Sequence, residues 1–391
     1  MKKQRIIIIG GGSTGLSTAI NLAKFNENEI IVLEKSFVGS GQTGQCCGFV
    51  RTFYNKKEMA FSAFKSNQEI KRISKQNNDI EYIKKGLLVI NSLKNKNLLM
   101  ENIKMLRSLG IKAEYLENKQ LNKINPYIKT ENSYAGFDPE AGYVNSRLVV
   151  DYLKNQCENL GVKIIENTKV LNIRLKKKIF YIRTNKGELK AAKVFNATAA
   201  YSNKINSFFD FQLPIKIVKT NNCFYRLPMG PQRFTTAIAD FVNLFYIIPH
   251  KEFIDVSSLT VDLKKQVNPE DKNIYRLDEN ASKQYLNIIS KRIKNAEKSS
   301  LLGGFGSCID ISPDYYPILG KIDEVPNFYC ATGFSGTGFK HFPMIGILMA
   351  ETILEKKPTY PNLVSYFNYK RFEKEKEKER KKVTDSYFVK K

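Results

Sequence analysis

The first 35 residues contain the feature that most constrains the fold of this chain. A β-branched run, Ile6 to Ile9, leads directly into the glycine-rich turn 10–15, and apolar residues at helical spacing follow from Leu16 to Ala23. A second apolar run, residues 30–33, ends at Glu34. This order of strand, glycine turn, helix, strand and acid predicts a βαβ unit that binds a dinucleotide.

Each residue type in this unit has a physical role. Gly10 permits the tight turn, Gly12 lets the backbone approach a pyrophosphate, and Gly15 lets the helix pack closely on the sheet. The helix N-terminus offers free N–H groups and a positive dipole end to the phosphates, and Glu34 can accept the hydroxyls of an adenosine ribose. The expected dinucleotide contacts are Gly10, Gly12, Ser13, Thr14, Gly15, Glu34 and Lys35.

The strong positive charge does not by itself indicate a nucleic-acid partner. The 391 residues include 63 Lys and Arg against 38 Asp and Glu, which gives a formal net charge of +25. Arg accounts for 13 of the 63 and Lys for the other 50, spread along the whole chain. Because specific readers of bases and phosphates depend on the bidentate Arg fork, nucleic acid is not the expected partner.

Cysteine, histidine and hydropathy set further bounds. The six cysteines show no paired metal spacing, and the chain has two histidines, so neither a disulfide framework nor a metal site is expected. No run of about 20 apolar residues exists, so no membrane span is expected. These observations favour a cytoplasmic protein.

Beyond the first unit the periodicity predicts further strands and helices and a charged C-terminal tail at 370–391, where Lys and Glu alternate. The predicted strands are 86–90, 162–165, 170–173, 180–184, 194–197, 215–218 and 245–248. The predicted helices are 145–161, which starts at Asn145 or Ser146, 280–298 and 344–355.

Four segments of the chain form a recognisable set. They are the βαβ unit, residues 39–51, residues 138–145 with Val170 and 196–202, and residues 312–314, 316–320 and 331–340. Together they resemble the flavoprotein amine and amino-acid oxidoreductases of the D-amino acid oxidase, glycine oxidase and sarcosine oxidase family. The glycine-rich loop that ends in Arg51 is most similar to the branch of sarcosine oxidase β-subunits, dimethylglycine dehydrogenases and β-type proline dehydrogenases.

The resemblance implies an α/β fold in which a Rossmann-like FAD-binding domain of the glutathione-reductase type is interleaved with an antiparallel-sheet substrate domain of α+β type. The expected FAD-binding segments are 1–80, 143–206 and 300–369, and the expected substrate segments are 81–142 and 207–299.

The resemblance also implies that FAD is held by two glycine-rich elements far apart in sequence. The loop 39–48 would pass over the pyrophosphate and flavin, Val170 would touch the adenine through its backbone, and a C-terminal turn would reach the flavin side. The further expected contacts are Gly41, Thr43, Gly44, Val170, Gly333, Gly336, Gly338 and Lys340.

Arg51 and Lys340 are the residues that the resemblance assigns to the substrate. Cations at these positions would hold the carboxylate of a small secondary or tertiary amino acid, such as sarcosine, dimethylglycine or a glycine- or proline-like compound. The C–N bond would then be oxidised by hydride transfer to flavin N5. His341 is expected to pack near the flavin, and His250 to be a loop residue.

Three departures from the family pattern bear on the reaction. Ser257 stands where sarcosine-type oxidases carry a lysine beside the flavin, which favours a dehydrogenase that passes electrons to another acceptor. Cys308 lies one position from the cysteine that attaches FAD covalently in some members. Cys46 and Cys47 are interpreted as buried, inert thiols near the cofactor.

Two alternative functions remain open at this point. One is a tRNA wobble-uridine modifying flavoenzyme, whose flavin domain shares the fold. The other is an electron-transferring flavin subunit of a hetero-oligomeric dehydrogenase, which would need an acceptor protein or a partner subunit.

Overall fold

The computed structural model describes residues 4–92, 95–131, 133–230 and 233–372. Most of the predicted charged tail, residues 373–391, lies outside the described residues. The strands are β1 Gln4–Ile9, β2 Asn28–Leu33, β3 Phe49–Val50, β4 Ile83–Lys84, β5 Leu87–Ser92, β6 Glu114–Leu116, β7 Ser133–Asp138, β8 Gly142–Tyr143, β9 Lys163–Ile165, β10 Val170–Lys176, β11 Ile179–Thr184, β12 Gly187–Ala191, β13 Lys193–Asn196, β14 Lys216–Arg226, β15 Ala237–Asp240, β16 Phe245–Pro249, β17 Ile254–Ser258, β18 Ser300–Ile311, β19 Ile318–Lys321 and β20 Phe328–Thr332. The helices are α1 Ser13–Ala23, α2 Lys57–Gln76, α3 Lys96–Ser108, α4 Asn118–Ile124, α5 Ser146–Asn159, α6 Ser202–Asn206, α7 Glu279–Ser290, α8 Phe342–Ile353 and α9 Pro361–Phe367.

A six-stranded sheet in the order β19-β20-β13-β1-β2-β9 contains the predicted βαβ unit. All its neighbours are parallel except β19, which runs antiparallel to β20. Strand β1 lies between β2 and β13, so the glycine turn that follows it opens at the carboxyl edge of the sheet. Open parallel sheets bind ligands at that edge.

The run of isoleucines in β1 is explained by burial on both faces of this sheet. Ile6 and Ile8 pack into a core with α1, α5 and α8, whereas Ile7 and Ile9 pack into a second core with the small sheet β10-β11-β12. A strand covered on both sides needs apolar residues at every position. The continuous apolar pattern of the sequence therefore predicts its central place.

The second large sheet has eight strands in the order β18-β14-β17-β16-β15-β5-β7-β6 and is antiparallel apart from the parallel pair β5 and β15. A short three-stranded sheet, β3-β8-β4, lies in the segments that follow the second glycine-rich loop. One face of the eight-stranded sheet packs on α7, with Tyr285 and Ile289 in a separate core. The other face borders the cavity described below.

The predicted fold class is confirmed: the chain combines a mainly parallel sheet flanked by helices with a mainly antiparallel sheet. The proposed division into domains stays a prediction. Strand β18, from the segment 300–369 that we expected in the FAD-binding domain, pairs along β14 in the eight-stranded sheet.

Helix α7 ends at Ser290, eight residues before the predicted end at Lys298. The reason is Arg292, which turns into the interior instead of continuing the polar face. Its Nε donates to Asp240 Oδ2 at 2.6 Å, and its guanidinium also donates to Ser133 Oγ at 2.9 Å. This buried ion pair requires the chain to bend after Ser290. The periodicity of the sequence does not predict such a bend.

Among the described residues, no helix has both the length and the hydropathy that a bilayer crossing requires. Helix α8 is strongly apolar, but it has 12 residues.

Candidate active site

The glycine turn after β1 is shaped by backbone contacts that exclude side chains. Gly10 has φ +111°, and a Cβ there would lie 2.5 Å from the carbonyl oxygen of Ala197. A Cβ at Gly15 would lie 2.1 Å from the carbonyl oxygen of Gly10. Helix α1 begins at Ser13 with Gly12 as its N-cap, and this cap provides no side-chain hydrogen bond. The turn thus presents backbone N–H groups at a helix N-terminus.

Glu34 follows β2 and is fixed beside this turn. Its Oε2 accepts from the Gly11 N–H at 2.9 Å, and its Oε1 accepts from the Ser36 N–H at 3.0 Å. The side chain is buried and lines the cavity that the turn opens into. Since each carboxylate oxygen can accept more than one hydrogen bond, the acid remains able to receive hydroxyl donors.

The second glycine-rich loop folds against the first. Thr43 Oγ1 accepts from the Ser13 N–H at 3.2 Å, which joins the loop to the start of α1. A Cβ at Gly44 would lie 2.3 Å from the carbonyl oxygen of Gly39, so Gly44 closes the loop on itself. A Cβ at Gly41 would meet nothing within 4 Å, because this glycine faces open space in the cavity.

The C-terminal glycine turn is held by a residue that sequence reasoning missed, Asp310 on β18. Its Oδ2 accepts from the Gly333 N–H at 2.6 Å, from Thr332 Oγ1 at 3.1 Å and from the Phe334 N–H at 3.4 Å. Burial raises the pKa of this carboxyl, and the donors act in the opposite direction. The available signal was its place just before the Ser312-Pro-Asp segment of the C-terminal block.

These elements surround one cavity of about 800 Å³. Most of the predicted site residues line it, although Gly15, Gly44 and Gly333 do not: the first two shape their turns, and the third donates to Asp310. The predicted residues that line the cavity are Gly10, Gly12, Ser13, Thr14, Glu34, Lys35, Gly41, Thr43, Arg51, Val170, Gly336, Gly338 and Lys340.

Lys35 lies at the same end of the cavity as Val170 and Glu34. Its ammonium lies 3.3 Å from the centroid of the Tyr201 ring. Burial lowers the pKa of Lys35, and the neighbouring Glu34 opposes that change. The cation–π contact keeps the lysine stem along the cavity wall.

Arg51 and Lys340 come from opposite ends of the sequence and line the same cavity. The Arg51 guanidinium is buried, lies 3.9 Å from the centroid of the Tyr54 ring and donates to the carbonyl oxygen of Phe53. Lys340 is partly buried and its Nζ donates to the carbonyl oxygen of Gly336 at 3.3 Å. Burial, followed by the positive charge of Arg51, lowers the pKa of Lys340 to about 8.

The two histidines occupy different places. His341 is buried behind the cavity, with Nδ1 bonded to Ser62 Oγ at 2.9 Å and Nε2 bonded to the Tyr54 hydroxyl at 3.2 Å. Burial and the charges of Lys340 and Arg51 hold the pKa of His341 well below its usual value. His250 follows β16 and stacks on Phe253 with ring centroids 4.6 Å apart.

The thiols near the cavity are poor nucleophiles. Cys46 and Cys47 line the cavity. We predicted that both are buried, whereas in the structure both residues are partly exposed. Burial of the sulfur raises the pKa of Cys46 and raises that of Cys47 to about 12, so both are protonated near neutral pH. Cys308 also lines the cavity, and burial raises its pKa to about 11.

A helix N-terminus behind a glycine turn, an acid after the second strand and a second glycine-rich loop open on one cavity. Together they define a protein that binds a dinucleotide cofactor. The family described as FAD dependent oxidoreductase (DAO) matches residues 5–352. The chain belongs to this family, and it is an FAD-dependent oxidoreductase.

Individual relatives are similar over nearly the whole chain. The sarcosine oxidase subunit beta of Arthrobacter sp is 24% identical over 389 residues, which cover 95% of this chain and 92% of that protein. The monomeric sarcosine oxidase of Bacillus sp. (strain B-0618) is 21% identical, with coverage of 94% and 95%. Among solved structures, the L-proline dehydrogenase from P. horikoshii has a TM-score of 0.85 at 24% identity, and the two chains are covered to 95% and 98%.

The residues of the cavity fit FAD. Gly41 has nothing within 4 Å of its Cβ position, whereas a Cβ at Gly12 would lie 3.2 Å from Thr43 Oγ1 and would press on the second loop. Backbone without a side chain at these two positions can approach a pyrophosphate. Glu34 lines the same cavity and would accept from ribose hydroxyls, and the lining also includes Arg51 and Lys340. Glycines beside a helix N-terminus, with an acid after the second strand, match the donor and acceptor set of the cofactor.

Proposed function

We propose that this chain oxidises the C–N bond of a small amino acid whose nitrogen is secondary or tertiary, such as sarcosine, dimethylglycine or proline, with glycine as the smallest relative of this class. The observation that carries the proposal is the pair of cations, Arg51 and Lys340, on one cavity wall. Each cation makes the free energy of binding an anion more favourable. Together they favour a ligand that carries a carboxylate over a neutral amine.

The electrostatics of the pair support a carboxylate ligand. The charge of Arg51 contributes to the lowered pKa of Lys340, which means that the two cations destabilise each other. A carboxylate placed beside both would reverse this repulsion and form charge-assisted hydrogen bonds. The stacking of Arg51 on Tyr54 fixes the plane of the guanidinium, and a fixed plane reduces the entropy lost on binding.

When bound, FAD supplies a two-electron acceptor for the hydrogen on the carbon next to the nitrogen. The protein's part is to orient that carbon and to exclude water. Met59, Leu87 and Ile248 provide apolar wall to the same cavity. His341 is neutral and is engaged by Ser62 and Tyr54, so we assign it no proton transfer with substrate. The amine is proposed to enter in its uncharged form.

The activities for which relatives are named support this substrate class. They include sarcosine oxidase subunit beta and monomeric sarcosine oxidase, and solved structures of the same fold include L-proline dehydrogenase and glycine oxidase from Geobacillus kaustophilus. All of these names refer to small amino acids with a free carboxylate.

We further propose that the chain works as a dehydrogenase with a partner subunit or acceptor protein. Ser257, and not a lysine, lines the cavity on β17. Several relatives are named as β subunits, which supports a partner. A dehydrogenase would reduce a dye much faster than it consumes oxygen; comparable rates with both acceptors would contradict this assignment.

The substrate assignment is tested with variants of the two cations. Lys340→Met and Arg51→Lys should each raise KM for sarcosine by at least about tenfold, since a hydrogen bond to a charged group contributes roughly 1.5–3 kcal/mol. The exposed Lys291→Met is the matched control. Equal KM values for the control and the two site variants would remove the basis of the proposal.

A further inference from the structure

Four polar side chains form a row on the cavity face of the eight-stranded sheet. Asn222 on β14 pairs with Ser257 on β17, and Ser257 pairs with Tyr246 on β16. Asp255 lies two residues before Ser257 and therefore shares its face. The neighbouring positions of opposite parity, Cys223, Ile247 and Val256, pack in the core on the other side.

The hydrogen bonds in this row run from a buried acid to the cavity. Asn222 Nδ2 donates to Asp255 at 2.9 Å from Oδ1 and 3.1 Å from Oδ2, and it also contacts the Tyr246 hydroxyl oxygen at 3.4 Å. Asp255 is 3% exposed and Asn222 is 8% exposed. Asn222 and Tyr246 line the cavity that holds Arg51 and Lys340, whereas Asp255 reaches a second cavity of about 840 Å³.

The chemistry of the three groups fixes the direction of each bond. An ionised carboxylate only accepts, so the amide nitrogen of Asn222, not its oxygen, must face Asp255. The second amide hydrogen then points at Tyr246, whose oxygen acts as the acceptor. The hydroxyl hydrogen of Tyr246 is therefore directed away from Asn222, where Ser257 Oγ and the open cavity are the acceptors within reach. Ser257 itself donates to the carbonyl oxygen of Asn221 at 2.7 Å and lines the same cavity.

We propose that Asp255 is a positioning residue: through the amide of Asn222 it keeps the hydroxyl hydrogen of Tyr246 directed into the cavity, toward the carboxylate of the substrate. The inference rests on the proposed function, because it takes the ligand of Arg51 and Lys340 to be that carboxylate. Cys47, Tyr246 and Lys340 line the same cavity. Cys47 is close enough to affect the pKa of both the Tyr246 hydroxyl and the Lys340 ammonium, so these two groups lie near each other.

Protonation of Asp255 would reverse the arrangement. A neutral carboxyl can donate to the amide oxygen of Asn222, so the amide can rotate and present its oxygen to Tyr246. Tyr246 then donates to Asn222 and withdraws its hydrogen from the cavity. Burial raises the pKa of Asp255 to about 7, with the Asn222 bond opposing it, which places this exchange near neutral pH.

The thiols, the phenol and the imidazole nearest to Asp255 stay in one protonation state over the same range. Burial raises the pKa of Cys47 to about 12 and that of Cys223 to about 11, and burial keeps the pKa of Tyr246 well above its usual value. His250 lines the second cavity, and burial lowers its pKa to about 4. The exposed carboxylates of Asp79 and Glu81 border that cavity at its rim.

The test measures binding of propionate, a carboxylate with no amine, to the FAD-loaded protein by calorimetry. Between about pH 7.5 and pH 5.5 the wild-type affinity should fall roughly tenfold, the range of one charge-assisted hydrogen bond. This fall in affinity toward pH 5.5 is called the acidic step. Asp255→Asn should abolish it. Tyr246→Phe should also abolish it and should weaken binding by about tenfold at pH 7.5. The exposed Asp262→Asn is the matched control and should keep the step.

An acidic step that persists in Asp255→Asn or in Tyr246→Phe would overturn the inference. If Asp255→Asn does not fold, Tyr246→Phe decides, since Asp255 is proposed to act through this hydroxyl. Failure of the proposed function has a different outcome: propionate would not bind the wild type at any pH, and loss of Lys340 would change nothing.

Discussion

The lowered pKa of Lys340 makes carboxylate binding depend on pH on the alkaline side. Its ordinary value is 10.5, and the site lowers it to about 8, a difference that corresponds to about 3 kcal/mol against the charged form. The main cause is burial, and the second is the charge of Arg51. Because the charged Lys340 ammonium is proposed to bind the carboxylate, the affinity of the site for a carboxylate ligand should fall as the pH rises through 8.

The size of this effect follows from the fraction of Lys340 that carries its proton. About nine-tenths of the molecules are charged at pH 7, about half at pH 8 and about one-tenth at pH 9. The dissociation constant of propionate should therefore rise about tenfold from pH 7 to pH 9. At pH 8, binding should take up about half a proton per ligand, because the bound anion restores the ammonium.

Lys340→Met tests both parts of this reasoning. The variant should bind propionate about 10- to 150-fold more weakly at pH 7. Its affinity should not fall between pH 7 and pH 9 and should rise by no more than about twofold, because Asp255 completes its ionisation in this range. The melting temperature of the cofactor-free variant should rise at pH 7, since a partly buried charge held below its ordinary pKa destabilises the fold until it is removed. Lys291→Met should match the wild type in each respect.

Calorimetry in two buffers with different ionisation enthalpies gives both the affinity and the protons taken up. A wild-type affinity that does not change between pH 7 and pH 9, or a Lys340→Met variant with the same slope as the wild type, would refute the assignment of Lys340 to the ligand.

Three further predictions concern the cofactor cradle and the core. Gly15→Ala places a Cβ 2.1 Å from the carbonyl oxygen of Gly10, so it should lower both the melting temperature and FAD content; a normal melting temperature would contradict the packing described. Gly41→Ala, with nothing within 4 Å of its Cβ, should keep the melting temperature of the cofactor-free protein and weaken FAD binding, as fluorescence titration would show; unchanged affinity would place FAD elsewhere. Arg292→Met leaves Asp240 buried without its cation and should cost about 3–5 kcal/mol in urea unfolding, and a loss below about 1 kcal/mol would mean that the pair contributes little.

The parts of the fold that sequence predicted are those that local pattern determines. The β1 run, the glycine turn and Glu34 lie within 35 residues, and each has a residue type that few other structures require. Helix α2 was not predicted, since its buried face includes Ser62, Ser66 and Asn67. These polar residues interrupt the apolar stripe, yet Ser62 and Ser66 bond to His341 and Met344 across the core.

The sequence analysis named distant residues of this cavity only where the family resemblance supplied long-range information, and their roles stay predictions. Arg51 and Lys340 are 289 positions apart, and no local pattern brings them to one cavity. The row Asn222, Tyr246 and Asp255 depends on the register of three strands, and the carboxylate of Asp310 depends on a turn 23 residues away. Such contacts arise from tertiary pairing and leave no periodic trace in one sequence.

Oxidation of a small amino acid by this chain is tested most directly by the absorbance of the bound flavin on anaerobic mixing with a matched panel. The panel contains sarcosine, dimethylglycine and proline, each beside its amide, which keeps the nitrogen and removes the negative charge. At least one of the acids should bleach the flavin, its amide should do so far more slowly, and the difference should disappear in Lys340→Met. A protein purified without flavin, or a flavin that bleaches equally with acid and amide, would contradict this proposal.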